Sequence, residues 1–230
     1  MKPVELLFLR CAAYAALGAT LAMNQGCKGG VSATPGLAAG SGTAGRPDSS
    51  LFRPTEASLC LQQMIKKPAG QFHLSFAESS SDGKSTSVEA DVTPMTIDYR
   101  KREVSEEQTS GNTKKLELSK LSEMELDFDI MGPVPWHGEL VAAQDAARAQ
   151  GSQVVNGYNA MEYAIDTADE PGPQKATFDS LMAVEDYKIV GNAWVTRDSG
   201  CLVKYSIDFE KDRKNGSVSK THFEGNVTKK

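Results

Sequence analysis

The sequence predicts a mainly β (α+β) domain: a curled antiparallel sheet or half-barrel covered by an N-terminal helix and an inserted helix. Three observations predict it. Short stretches of alternating apolar and polar residues recur through residues 51–230, joined by polar turns. One helical stripe precedes them, and one Ala-rich run interrupts them. About 180 residues hold one compact domain with a substantial core, and no composition break marks a second.

The elements follow in order. A helix spans residues 54–67, with Pro54 suited to its first turn and Pro68-Ala69-Gly70 as its stop. Phe72, Leu74 and Phe76 alternate with His73 and Ser75 as a strand, and a turn at 79–83 leads into a second strand over 86–92. Pro94 opens a third through Ile97, Tyr99 and Lys101. Residues 105–113 read as a polar turn and 114–121 as a strand with Leu116 and Leu118 in phase. Met124, Leu126, Phe128 and Ile130 then alternate with Glu123, Glu125, Asp127 and Asp129, which predicts another strand. Residues 132–138, with Pro133, Pro135 and Trp136, break the regular structure. An Ala-rich helix follows over 139–150, ended by Gly151. Strands return at 154–155, 159–167, 188–196, 201–211 and 218–227, with a short helix at 177–185. Asp198-Ser199-Gly200 and Lys214-Asn215-Gly216 carry the residues that hairpin turns require.

A sheet of that size must curl or be covered on its apolar face. The available covers are the N-terminal helix, the Pro-Trp segment and the Ala-rich helix. A curled sheet closed by helices commonly encloses an apolar cavity, and its candidate lining here is Trp136, Leu140 and Val141. Trp136 reads either as a plug over the core or as part of a ligand mouth, and Trp194 as core.

The first 50 residues have a different character. Lys2 and Arg10 precede or flank an apolar run over 11–23, which suits a signal h-region and is shorter than the about 20 residues of a membrane span. Residues 28–50 are almost entirely Gly, Ala, Ser, Thr and Pro, a flexible chain that cannot offset its ordering entropy by burial. The G-x-G-x-x-G at 40–45 lies within it, with no strand before and no apolar helix after, so it binds no dinucleotide. Leu21-Ala22-Met23-Asn24-Gln25-Gly26-Cys27 resembles the lipobox of bacterial lipoproteins. That resemblance implies lipid attachment at Cys27 and a membrane as partner through it. The expected organisation is signal peptide 1–26, lipid-anchored tether 27–50 and one β-rich domain 51–230, exported and held in the cell envelope with its domain periplasmic. Cleavage after Ala22, using the small residues Thr20 and Ala22, is the alternative.

Four cysteines then sort themselves. Cys11 leaves with the signal and Cys27 carries lipid, which leaves Cys60 and Cys201 in a compartment that permits disulfides. Cys60 shares a helical stripe with Ala57, Leu61, Met64 and Ile65. Cys201 shares parity with Val203, Tyr205, Ile207 and Phe209. Both face inward, as a disulfide or as two buried thiols.

Charge and motifs exclude several functions. Removing 1–26 takes away Lys2, Arg10 and Glu5, so the net charge moves from −5 to −6 and gives no case for nucleic acid. Gly83-Lys84-Ser85 lacks the first glycine of a phosphate-binding loop, because Glu78 stands there. His73, His137 and His222 are scattered, with no Cys, His or carboxylate at ligand spacing, so no metal site is expected. Glu123 to Asp129 read as a solvated acidic face. No catalytic constellation or cofactor motif is present, and no enzyme is expected.

The element order, together with Gly191-Asn192-Ala193-Trp194-Val195-Thr196-Arg197-Asp198-Ser199-Gly200-Cys201-Leu202-Val203-Lys204, is similar to the LolA/LolB and LppX-type envelope proteins. These share an unclosed β-barrel lidded by helices and carry lipid or lipid-linked cargo. The resemblance implies an envelope lipoprotein that binds or carries an apolar, lipid-like ligand between sheet and helices. Two other classes stand beside it: a structural or interaction lipoprotein presenting a sheet surface to an envelope partner, and an envelope hydrolase built around His137.

Overall fold

The computed structural model describes residues 51–105, 108–135, 143–144, 146–167, 184–213 and 216–230. Helix α1 (Pro54–Lys66) opens it, with proline in the first turn, Glu56 near the N-terminus and Lys66 in the last turn, each where the helix dipole favours it. Ala57, Leu61 and Ile65, spaced i, i+4, i+8, form its buried stripe.

Nine strands follow: β1 (Phe72–Ser80), β2 (Ser85–Val92), β3 (Thr96–Val104), β4 (Thr109–Glu117), β5 (Ala147–Val155), β6 (Tyr158–Asp166), β7 (Val184–Thr196), β8 (Leu202–Arg213) and β9 (Val218–Lys229). They form one unclosed antiparallel sheet in the order β4-β3-β2-β1-β9-β8-β7-β6-β5. Sequence neighbours pair throughout, save at one seam, where β1 pairs with β9 over Phe72↔Lys229 to Ser80↔Thr221.

Alternation assigns the two faces. Inward lie Phe72, Leu74 and Phe76 on β1, Ala90 and Val92 on β2, Ile97 and Tyr99 on β3, Tyr163 and Ile165 on β6, and Tyr205, Ile207 and Phe209 on β8. At the seam, Gly225 pairs with both Phe76 and Tyr205, and the two rings stack across it with centroids 6.2 Å apart. A Cβ on Gly225 would overlap the Tyr205 ring, so the glycine is where the sheet makes room for its largest inward side chain. The Tyr205 hydroxyl, fully buried, donates to the Pro133 carbonyl at 3.4 Å. Leu61 and Ile65 of α1 pack onto this face together with Leu126, Ile130 and Met131. Phe52, just before α1, meets the Tyr163 ring at 5.2 Å.

Residues 123–130 are helical, with a π-helical stretch at Glu125–Ile130, and not the expected strand. The alternation is real but is read differently by a helix, because each of its four classes recurs at i, i+4. Leu126 and Ile130 face the core with no exposure, while Met124 and Phe128 face solvent. Glu123 and Asp127 face α1, where Lys66 and the Gln62 amide donate to them at 2.6–2.7 Å. Glu125 and Asp129 face the sheet: Lys114 donates to Glu125 at 2.9 Å, and the Tyr99 hydroxyl to Asp129 at 2.9 Å. Burial and the Asp129 bond push the Tyr99 hydroxyl up to about 12. The acids are the mortar between cover and sheet, and not a solvated face.

Three further expectations change. The Ala-rich run ends as a strand: Ala143 is helical and Gln144 and Ala146 are in turns, but Ala147 to Gln150 belong to β5, and the Gly151 region is a bulge within it. The cause is Asn156-Gly157, both at positive φ (54° and 85°), a two-residue hairpin turn that pairs Val155 with Tyr158 and draws the preceding residues into the ladder. Among the described residues the inserted helical cover is the 123–130 segment. Residues 109–113, expected as a turn, form half of β4, and Leu118–Lys120 is a 3-10 turn ending it. Val184 and Glu185, placed at the end of a helix, begin β7, and the rest of that expected helix lies outside the described residues.

Replacing Gly225 by Val should destabilise the domain by about 1–3 kcal/mol through overpacking against Tyr205, measured as a lower urea midpoint at unchanged m-value. The Lys114 ammonium, with the Ser122 hydroxyl and backbone N–H, holds Glu125 down from 4.5 to about 2. Its stabilisation is complete above pH 4.5 and is lost as pH falls from 4.5 toward 2. Glu125→Gln should therefore unfold with a shallower pH dependence across that window, read by circular dichroism at fixed urea.

Candidate functional site

The outer sheet face is built from the residues that alternate with the core set, and strand register places them in rows. One row runs Val190, Asp208, His222, Ser79 across β7, β8, β9 and β1, and the next carries Lys188, Glu210 and Lys220. With Ser80, Ser81 and Thr221 they line an open polar groove of about 600 Å³. Two charge pairs lie inside it beside Lys188: His222 Nδ1 lies 2.7 Å from Asp208, and Lys220 2.7 Å from Glu210. Hydrogen bonding to Glu210 raises the Lys220 ammonium above its ordinary range.

A parallel arrangement stands on the other side of the seam. His73 on β1 has Nδ1 2.7 Å from Asp91 and Nε2 2.7 Å from Glu89, both on β2. Lys230 also donates to Asp91 at 2.6 Å, and Ser75 to Glu89 at 2.8 Å. These bonds from Lys230 and His73 hold the Asp91 carboxyl below the usual range. Strand register thus brings His73 and His222 within hydrogen-bond reach of carboxylates that their spacing along the chain does not indicate. The signal was available: the tight Ser80–Lys84 turn fixes the register that sets His73 opposite Asp91. No group of three His, Cys, Asp or Glu side chains among the described residues could hold a metal ion.

Ser79, His222 and Asp208 lie side by side, which invites a nucleophile-base reading. Catalysis of that kind also needs backbone N–H donors aimed at the reacting oxygen. On a sheet face those donors are spent on the strand ladder, and the His222 and Asp208 side chains are 41% and 74% exposed.

Trp194, expected in the core, is 8% exposed and belongs to the buried cluster, between Glu162 and Lys204 in register. Lys204 Nζ sits 4.5 Å over its ring. A bulge between Trp194 and Val195 lets Leu202 and Val203 both be buried, which simple parity from Cys201 onward does not foresee.

Cys60 and Cys201 form a disulfide, with Cα atoms 4.7 Å apart, fastening α1 to the start of β8. Beside it the Thr196 hydroxyl accepts from the Cys201 N–H at 2.8 Å and closes the hairpin at Gly200. Cys27 and the expected ligand residues Trp136, Leu140 and Val141 lie outside the described residues, as does His137. Where the inner face is described, Tyr99, Tyr205, Phe76, Phe209, Leu74, Leu126 and Ile130 occupy the space between sheet and helices, each under 2% exposed. No described helix is long and apolar enough to cross a membrane.

No protein-family model matches the chain. A search of curated proteins finds no match. Among solved structures, MucB, seen in the crystal structure of MucB in complex with MucA(peri), is similar over 74% of this chain at 14% identity, with a TM-score of 0.28. The matched region spans 55% of the MucB chain.

Replacing His73 by Ala removes the group that bridges Glu89 and Asp91. The loss should be about 0.5–1 kcal/mol at low salt and should shrink as salt is added, measured by urea unfolding at two ionic strengths.

Proposed function

We propose that the chain is an exported, membrane-tethered interaction domain that presents the outer face of its sheet to a macromolecular partner in the cell envelope. One observation carries the reading: the described inner face is occupied by α1 and the 123–130 segment, while the outer face offers an open groove of charged groups and hydroxyls. Such a surface suits a polar partner that supplies its own complementary hydrogen bonds. The leader, the lipobox-like Cys27 and the Gly-, Ala- and Ser-rich composition of residues 28–50 support the tether, which would let the domain stand off a bilayer by a few nanometres. The disulfide supports export, since it persists in oxidising compartments. Carriage of an apolar ligand needs room that the described inner face fills with side chains.

The experiment has two parts. Alkyne-palmitate labelling should mark the wild-type chain and not Cys27→Ser, which should leave the membrane fraction. A photo-crosslinking amino acid at Ser206, on the outer face, should give one discrete adduct in cells, whereas the same residue at Lys120 should give none. Stoichiometric, saturable binding of a fluorescent fatty acid by the delipidated domain would overturn the reading in favour of a carrier.

A further inference from the structure

Among the described residues the sheet has two unpaired edges, and they are not alike. On β5 the register shifts between Ala149 and Gly151, with Gly151 at φ 141°, so this edge is bulged. On β4 all nine residues pair with β3 without a shift, from Thr96↔Glu117 to Val104↔Thr109. A regular edge strand exposes a row of backbone donors and acceptors that another strand can extend.

The outer face beside that edge is mixed but carries an excess of cations: Arg100, Arg102 and Lys115 stand with Asp98, which lies opposite Lys115 in register, and with Glu117, which is paired with Lys120. Arg100 and Arg102 on β3 and Lys115 on β4 are exposed, and none has a hydrogen-bond or ion-pair partner among the described residues. On the covered face behind them Lys101 is matched with Glu103 and Lys114 with Glu125, and on the outer face Lys230 is matched with Asp91. Glu89, the acid next to Arg100 in register, is taken by His73 and Ser75. Arg102 has Ser87 on one side and Gly111 on the other, and Arg100 faces Thr113 across β4. Small residues between the arginines and the open edge leave their long side chains a path over β4. Residues i and i+2 on one strand face stand about 7 Å apart, the spacing of alternate side chains on any added strand.

We propose that the β4 edge takes an extended acidic segment of a partner protein as a tenth, antiparallel strand, its alternate carboxylates meeting Arg100, Arg102 and Lys115. Backbone pairing along β4 gives the register, and the guanidinium forks give the preference for carboxylates. This inference rests on the reading of the chain as an interaction domain and names the chemistry of the partner. Lysines on an edge strand also discourage self-association, but that role asks nothing of two arginines one strand further in.

The probe is a fluorescein-labelled Glu-Val repeat peptide of about eight residues, a typical strand length, titrated by anisotropy against the tag-free domain with its disulfide intact. The expected result is saturable binding that weakens as salt rises. R100E/R102E and, independently, Lys115→Gln should each reduce affinity, the former by about tenfold or more, with circular dichroism unchanged. The same peptide N-methylated at alternate residues keeps its charge and cannot join the ladder, so it should not bind. Equal binding of the methylated peptide, or binding unaffected by R100E/R102E, would overturn the inference. So would binding to anionic phosphatidylglycerol vesicles in place of the peptide, which would assign the patch to a membrane. If the Ser206 adduct in cells survives R100E/R102E, the interaction domain stands and the β4 edge is excluded as its contact.

Discussion

The pairing of β1 with β9 is the constraint on which everything else rests. Each half of the sheet is a local meander whose strands pair with their sequence neighbours, and such hairpins form without long loop closure. Only the seam joins residues about 150 apart, and the inward stack of Phe76 and Tyr205 over Gly225 lies on it. Without the seam neither half has a complete inner face to cover. The Cys60–Cys201 bridge closes almost the same loop, with a sequence separation of 141, from the helix just before β1 to the strand beside β9. In the chain-entropy model a loop of that size is worth about 5 kcal/mol, a closure cost the seam then no longer bears alone.

The hairpins were legible because turn chemistry and two-residue alternation agree there. The helix over 54–67 was equally plain, since stripe, proline start and Pro-Ala-Gly stop coincide. What misled was residues 123–130. A perfect period of two is also a set of i, i+4 repeats, so alternation over two helical turns does not separate strand from helix. The distinction lay in the partners. Acids that must reach Lys66 and Gln62 on one side, and Tyr99 and Lys114 on another, need a helix, because a strand offers them only one direction. In the Ala-rich run the conflict went the other way. Alanine favours helix by propensity, but Asn156-Gly157 commits the chain to a hairpin, and pairing with β6 decides the outcome.

The candidate surface was less legible than the fold for a similar reason. His73 and Asp91 are 18 residues apart, and His222 and Asp208 are 14 apart, so their meeting is a property of register and not of spacing. Once the turns are placed, the rows of the outer face follow by counting, and the unmatched arginines stand out only after the matched pairs are assigned.

The two edges complete the argument, because an open sheet risks growing by adding its own copies. Joining β4 of one molecule to β5 of the next would be a head-to-tail contact with no closure, the geometry of a fibre. The bulge at Gly151 spoils β5 as a template, while β4 keeps its regular register. One edge is thus disabled and the other is guarded by charge. A guard of unmatched cations repels a second copy of its own basic edge and admits a strand that brings carboxylates. Resistance to self-assembly then falls to Lys115 on the edge itself, and the preference for an acidic partner to Lys115 together with the two arginines behind it.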